Sequence, residues 1–320
     1  MTGAAGYNRV PPVLDDPRGD RVDGAGAIMD GEGAGPIYFL LHVPKTAGMT
    51  VEGHILGSLP AECVWRPLSR RRWRREHGPR PQVPAHPERV RVAIGHHLRV
   101  SLEACFPGRE IRRAVLLREP VSFYVSLYNW TMAVRQRRGE PTFGFRLFLK
   151  TVSRDMVSRF LLTHWFELKH WVLPLIPRRR RYAMLNAALR RFWFVGDYTD
   201  CDRLIATVGP KLGIAPTAQA QNTSTFWRRS ARWTPLLEEE VPADLKASIV
   251  RDNPLDHALW RSWSGAGDNP GGVTPEPLAW TWDQDLALHE LARPVFKLIA
   301  EVSARAGRRG QDQGQRQASL

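Results

Sequence analysis

The chain has 320 residues, of which 43% are hydrophobic and 24% are charged, and its 46 Lys and Arg residues against 32 Asp and Glu give a formal net charge of +14. This balance is that of a globular protein with one large domain or two small ones, and it excludes a largely disordered chain. Only six of the cations are lysine; because such an arginine excess is typical of a GC-rich genome, the charge favours an anionic ligand without singling out nucleic acid.

Short apolar runs predict four buried strands. They cover residues 37–41, 91–94, 113–117 and 192–198. Helices are predicted after three of these runs: over 50–59, from Pro120, a residue suited to a first helical turn, and from a cap at Asp200 to Leu212, with Gly213 ending the helix. Strands that do not alternate in polarity and that are separated by helices predict an α/β fold, with a central parallel sheet flanked by helices on both faces.

Composition divides the chain into three parts. Residues 1–35 are rich in Gly, Asp and Ala and predict a flexible leader, residues 36–306 form the domain, and residues 307–320 predict a disordered tail. Inside the domain, residues 60–90 are rich in Pro and Arg, and residues 140–191 have a helical period with a run of four arginines. Both segments are expected to be insertions beside the sheet.

Cysteine spacing and hydropathy indicate in which cellular compartment the protein is expected. Cys63, Cys105 and Cys201 lie far apart and have no metal-ligand spacing, which favours free thiols in a reducing compartment. No stretch reaches the roughly 18 apolar residues of a membrane helix, and the first residues lack the apolar centre of a signal peptide. We expect a cytoplasmic protein without a membrane span.

The segment HVPKTAGMT, residues 42–50, follows the first predicted strand and opens a helix. Backbone N–H groups in such a loop and at a helix N-terminus point at one spot, where an anion binds. Lys45 adds a full positive charge, Thr46 and Thr50 add hydroxyl donors, and Gly48 permits close approach of the main chain. The spacing differs from that of a Walker loop.

A second segment, LREPVSFYVS, places Arg118 at the exit of the third predicted strand and Ser126 in the helix that follows. An arginine can grip a phosphate through its planar fork, and a serine hydroxyl can donate to the same group. The carboxyl end of a strand is also where open α/β sheets bind ligands. In isolation, the pattern also fits an arginine that only caps its own sheet.

Together, the two segments resemble the carbohydrate sulfotransferases that use 3′-phosphoadenosine 5′-phosphosulfate (PAPS), in particular the branch of the heparan sulfate 2-O- and 6-O-sulfotransferases and their bacterial relatives. The resemblance implies a P-loop-like sulfotransferase fold with helical insertions. It also implies that Arg118 and Ser126 hold the 3′-phosphate and that Asn222 belongs to a later loop over the nucleotide. The residues implied around the 5′-phosphosulfate are Lys45, Thr46, Ala47, Gly48, Met49 and Thr50.

The catalytic base implied by the resemblance is the histidine of a Gly-His pair, which aligns with His96 at the end of the second predicted strand. Histidine is suited to taking a proton from a hydroxyl near neutral pH. His97 is the alternative, because neighbouring strand residues face opposite ways. His42 is expected to be a packing residue at a strand end.

The function implied is transfer of a sulfuryl group from PAPS to a hydroxyl of a carbohydrate or glycolipid acceptor, with Lys45 and His96 as catalytic residues and no metal. Neither nucleic acid nor a membrane span is expected, and the oligomeric state stays open. The arginines of residues 66–80 fit either a cradle for an anionic acceptor or a solvated loop. The alternatives are a P-loop-like nucleotide kinase and a basic nucleic-acid-binding protein without enzymatic activity.

Overall fold

The computed structural model describes residues 35–215, 234–278 and 284–317. The predicted leader, apart from Gly35, therefore lies outside the described residues, as does Asn222.

The centre of the fold is a five-stranded sheet in the order β2-β3-β1-β4-β5, in which every neighbouring pair is parallel. Register places Leu41 of β1 between Gly95 of β3 and Val115 of β4. The strands are β1 (Ile37–Leu41), β2 (Val64–Trp65), β3 (Val92–Gly95), β4 (Ile111–Leu117) and β5 (Phe194–Asp197). The predicted α/β fold with a parallel sheet is thereby confirmed.

Helices connect the strands and follow the last of them. They are α1 (Gly48–Ser58), α2 (Arg70–His77), α3 (Pro120–Arg137), α4 (Phe145–Thr151), α5 (Met156–Phe160), α6 (Arg178–Leu189), α7 (Cys201–Leu212), α8 (Ala243–Asp252), α9 (Pro254–Trp263) and α10 (Gln284–Gln317). A π-helical turn, Leu161–Trp165, follows α5 directly. Along the described stretches, no helix combines the length and the apolar character needed to cross a membrane.

The sheet is buried on both faces, which explains why its strands read as continuous apolar runs. Alternate residues of β1 enter different cores. Phe39 belongs to the hydrophobic cluster that includes residues of α3, α5, α6, α8 and α9, and Leu40 belongs to the cluster that includes residues of α1 and α7. Side chains of successive strand residues point to opposite faces, so every position of β1 is apolar and buried.

Proline and glycine residues correctly predict two of the helix ends. Pro120 occupies the first helical position of α3, and Gly213 ends α7 in the left-handed conformation with φ of 70°. Asp200 precedes α7 as expected, but its carboxylate accepts a hydrogen bond from the N–H of Asp197 instead of capping the helix.

Two segments differ from expectation. Residues 60–90, predicted to be an insertion, contribute the edge strand β2 to the sheet as well as α2; a strand of two residues is too short to produce a pattern. The helix α10 continues through Gln317 and includes residues 307–317, where the sequence predicted a disordered tail. Extending an existing helix costs far less than nucleating one.

Candidate functional site at the carboxyl edge of the sheet

The strand order creates a crevice between β1 and β4. After β1 the chain crosses towards β2 at one edge of the sheet, and after β4 it moves towards β5 at the other edge. Ligands of open α/β sheets bind at such a switch point, outside the carboxyl ends of the strands. Lys45 follows β1, His96 follows β3, Arg118 follows β4 and Tyr198 follows β5, so all four lie at this edge.

The loop after β1 is a tight turn with unusual backbone geometry. Lys45 and Ala47 both have positive φ, 68° and 57°, a conformation that costs a non-glycine residue about 1–3 kcal/mol. The hydroxyl of Thr46 is buried and donates to the carbonyl of Val43 at 2.9 Å, so it stabilises the turn itself. Of the other loop residues expected near a ligand, Met49 is exposed and Thr50 is buried.

Gly48 is required for a reason other than close approach of a ligand. A Cβ atom built at this position would lie 1.8 Å from Cδ2 of His42. The His42 ring therefore occupies the space that a side chain at the start of α1 would need. Gly48 lets the ring pack directly against the loop.

Lys45 and Arg118, 73 residues apart in sequence, meet at this edge, where Nη1 of Arg118 donates to the carbonyl oxygen of Lys45 at 2.8 Å. Burial, and then the charge of Arg118, lower the pKa of Lys45 to about 8. Burial also lowers the pKa of Arg118. Within the described parts of the chain, neither side chain forms an ion pair with a carboxylate. The two cations thus form a partly buried positive site.

Arg118 is held in place by two residues that the sequence did not single out. Its Nε donates to Oγ of Ser122 at 2.9 Å, and its guanidinium lies 3.9 Å from the centre of the Tyr198 ring. Ser126 lies one helical turn beyond Ser122 on α3, is half-buried, and makes no hydrogen bond to the described residues. The available signal was the spacing of four between Arg118 and Ser122, which places the serine in the first turn of α3.

An aromatic side chain accompanies the other cation as well. The ammonium of Lys45 lies 5.8 Å from the centre of the Trp130 ring on α3, within the range of a cation–π contact. Sequence analysis did not assign Trp130 to the site, because its position on α3 carries no local signal.

His96 is oriented by the backbone of the neighbouring strand end. Gly95, with φ of 129°, turns the chain at the end of β3, and Nδ1 of His96 lies 2.7 Å from the carbonyl oxygen of His42. A carbonyl only accepts hydrogen bonds, so Nδ1 carries the proton and Nε2 keeps its lone pair. Burial, followed by the charge of His42, lowers the pKa of His96 to about 3. The ring is therefore neutral around pH 7, with the lone pair on Nε2.

His97, the alternative base, is half-buried and makes no hydrogen bond to the described residues. Burial, and then the charge of Arg99, lower its pKa. The pKa of His164 is lowered to about 4 by burial and then by His97, so His97 lies towards the π-helical turn. Only His96 of the two has its tautomer fixed by a hydrogen bond.

The arginine-rich segment 66–80 is partly neutralised. Arg66 pairs with Glu52 at 2.7 Å, Arg72 pairs with Glu76 at 2.8 Å, and Arg70 pairs with Glu167. The pair with Glu167 joins the start of α2 to the segment after the π-helical turn, and the pair with Glu52 joins the residues before α2 to α1.

Metal ligands are not gathered in the described parts of the chain, where no group of three or more His, Cys, Asp and Glu side chains could hold an ion. Comparisons with protein-family models, with curated proteins and with solved structures find no match to this chain.

Proposed function

We propose that the protein is a PAPS-dependent sulfotransferase acting on a hydroxyl of a carbohydrate or glycolipid. The observation that carries the proposal is the 2.8 Å hydrogen bond from Arg118 to the carbonyl of Lys45. It joins the two segments that resemble the 5′-phosphosulfate loop and the 3′-phosphate segment of that family, at the switch point of the sheet.

The charge of the site suits a nucleotide with anionic groups at two positions. Lys45 and Arg118 are both desolvated and form no ion pair with a carboxylate among the described residues, although the charges of Glu238 and Asp197 act on Arg118. A bound anion would stabilise both charged forms, because opposite charges at short range favour ionisation. Ser126, one helical turn beyond the Ser122 that holds Arg118, offers a further hydroxyl on α3.

PAPS, when bound, supplies an activated sulfuryl group whose departure leaves negative charge on the nucleotide. In this proposal Lys45 and the N–H groups at the start of α1 would stabilise that charge, and a preorganised site of this kind lowers the barrier. His96 accepts the proton of the acceptor hydroxyl at Nε2, since Nδ1 is already committed to the His42 carbonyl.

Binding of adenosine 3′,5′-bisphosphate, measured by isothermal titration calorimetry, tests the proposal first. We expect binding to the full chain, a loss of at least tenfold in affinity in Lys45→Ala and in Arg118→Ala, and weaker binding of ATP. Lys211→Ala, which removes an exposed cation from the end of α7, is the charge-matched control and should bind as the wild type does.

Transfer of labelled sulfate from PAPS to a panel of sugars, glycans and glycolipids then tests turnover. The sulfotransferase proposal is wrong if neither Lys45→Ala nor Arg118→Ala weakens the binding of adenosine 3′,5′-bisphosphate. Phosphoryl transfer from ATP to an acceptor would identify a kinase instead. Equal loss of polyanion binding in Lys45→Ala and Lys211→Ala would indicate a nucleic-acid-binding protein.

A further inference from the structure

Glu52 is a buried carboxylate in α1, and it is held on both oxygens. Nδ1 of His42 donates to Oε2 at 2.9 Å, and Nη2 of Arg66 lies 2.7 Å from Oε1. The Glu52 side chain is 6% exposed. A buried carboxylate is costly unless it is paired and hydrogen-bonded, and here both partners come from loops that follow strands, β1 for His42 and β2 for Arg66.

His42 lies between Glu52 and the proposed base. Its ring binds Glu52, its carbonyl accepts the hydrogen bond from Nδ1 of His96, and its ring lies against that of His96 with centroids 3.8 Å apart and planes 33° apart. Contact with Gly48 leaves the His42 ring no free space on the side of α1. The His42 ring and carbonyl are therefore fixed together.

We propose that Glu52 is a positioning residue for the base: by holding His42, it keeps the His96 ring in the tautomer that leaves Nε2 open to the acceptor hydroxyl. This inference rests on the proposed function, since it takes His96 as the proton acceptor. At metal sites, removal of the group that orients a ligand histidine costs about 10–100-fold in affinity or activity, and we expect an effect of that size here.

The charge of Glu52 also acts on His96. Burial raises the pKa of Glu52, but the hydrogen bond and charge of His42, with the charges of Arg66 and His96, outweigh burial and lower it, so the carboxylate is ionised at neutral pH. The same charge favours a protonated His96, whereas burial, His42 and His97 oppose it. Glu52 thus stabilises the positive charge that His96 gains when it takes the proton.

Two variants separate the hydrogen bond from the charge. Glu52→Ala removes both, whereas Glu52→Gln keeps the size of the side chain and an acceptor for His42 but removes the charge. Glu76→Gln, which breaks a helix-surface ion pair with Arg72, is the matched control. The readouts are the ¹⁵N chemical shifts of the His96 ring, assigned with His96→Gln and recorded without nucleotide, and kcat and KM for PAPS.

We expect a single Nδ1–H tautomer in the wild type and in Glu76→Gln, and a mixture of tautomers in Glu52→Ala. Both Glu52 variants should lower kcat by roughly 10–100-fold with KM for PAPS unchanged. A wild-type tautomer in Glu52→Ala would overturn the inference. If Glu52→Ala does not fold, a wild-type kcat in Glu52→Gln would overturn it instead. A wild type that transfers no sulfate refutes the proposed function, while the ¹⁵N shifts still decide whether Glu52 orients His96.

Discussion

Two clusters of buried charge in this protein are built in opposite ways. At the sheet edge, Lys45 and Arg118 are like charges without a carboxylate partner in the described chain. In the helical layer, the carboxylates of Asp155 and Asp256 are also like charges, but backbone N–H groups surround them. Both clusters lose contact with water. The charges of Glu238 and Asp197 favour the charged form of Arg118 without an ion pair, whereas the second cluster is hydrogen-bonded directly by the backbone.

The carboxylate cluster is a reciprocal pair of helix caps. Asp155 precedes α5 and accepts hydrogen bonds from the N–H groups of Leu255 and Asp256 in the first turn of α9, at 2.9 and 3.2 Å. Asp256 in turn accepts from the N–H groups of Val157 and Ser158 in the first turn of α5, at 3.0 and 2.7 Å. Each carboxylate thus satisfies N–H groups that a helix N-terminus leaves without partners.

The comparison indicates how a structural cluster differs from a candidate binding site. Charges that serve the fold find their partners in the chain, as Asp256 does. Charges that serve a ligand lie at a concave edge and form no ion pair within the described chain. A shifted pKa does not separate the two clusters, because burial and the charge of Asp256 also raise the pKa of Asp155. Substitutions in the first cluster should therefore change stability, and substitutions in the second should change binding and turnover.

Asp256→Ala should have the largest effect. It removes the acceptor of two backbone N–H groups and of the Ser158 hydroxyl, and a buried donor left without a partner costs about 1–3 kcal/mol. Chemical denaturation measures the free energy of unfolding. Asp244→Ala, at an exposed ion pair with Arg146, is the control and should change it by less than about 1 kcal/mol. Equal effects of the two substitutions would contradict the structural role of Asp256.

Lys45→Ala should lower the rate of sulfate transfer by roughly 10²–10³-fold, the usual loss when one group that stabilises developing negative charge is removed. The free energy of unfolding should not fall, because the substitution removes a desolvated cation beside Arg118. Activity assays and chemical denaturation on the same preparation check both statements. If Lys45→Ala is destabilised and still active, Lys45 serves the stability of the fold and not catalysis, and the difference drawn between the two clusters is wrong.

The pH dependence of stability isolates Asp155. Burial, and then the charge of Asp256, raise its pKa to about 7 from the ordinary value of 3.8. The folded state therefore holds this proton more tightly than the unfolded chain does, and the resulting stability is full below about pH 4 and is lost as the pH rises to about 7. The free energy of unfolding of the wild type should fall relative to that of Asp155→Asn over this range. Parallel curves for the two proteins would refute the raised pKa.

The smallest expected effect is the pH dependence of nucleotide binding. Because the pKa of Lys45 is lowered to about 8, the free protein loses this charge above pH 8. Its affinity for adenosine 3′,5′-bisphosphate should then fall by up to roughly tenfold per pH unit. Lys45→Arg stays charged, so calorimetry between pH 7 and pH 9 should show a flatter profile for this variant. The same slope in both proteins would assign the pH dependence to another group.

Local sequence patterns predicted much of the fold. The apolar run 37–41, Pro120 and Gly213 each mark an element that the structure contains. Placing Lys45 and Arg118 at one edge followed from the parallel sheet alone. The two-residue strand β2 was missed because a segment so short has no periodicity.

The sequence by itself determined where chain segments are buried and which strand ends carry cations and histidines, because burial periodicity and turn residues act over a few neighbouring positions. The tertiary structure decided the contact of Arg118 with Lys45, the tautomer of His96 and the reciprocal caps of Asp155 and Asp256. These contacts join residues 54 to 101 positions apart. They depend on how the crossover connections order the strands and pack the helices, and no local pattern encodes that.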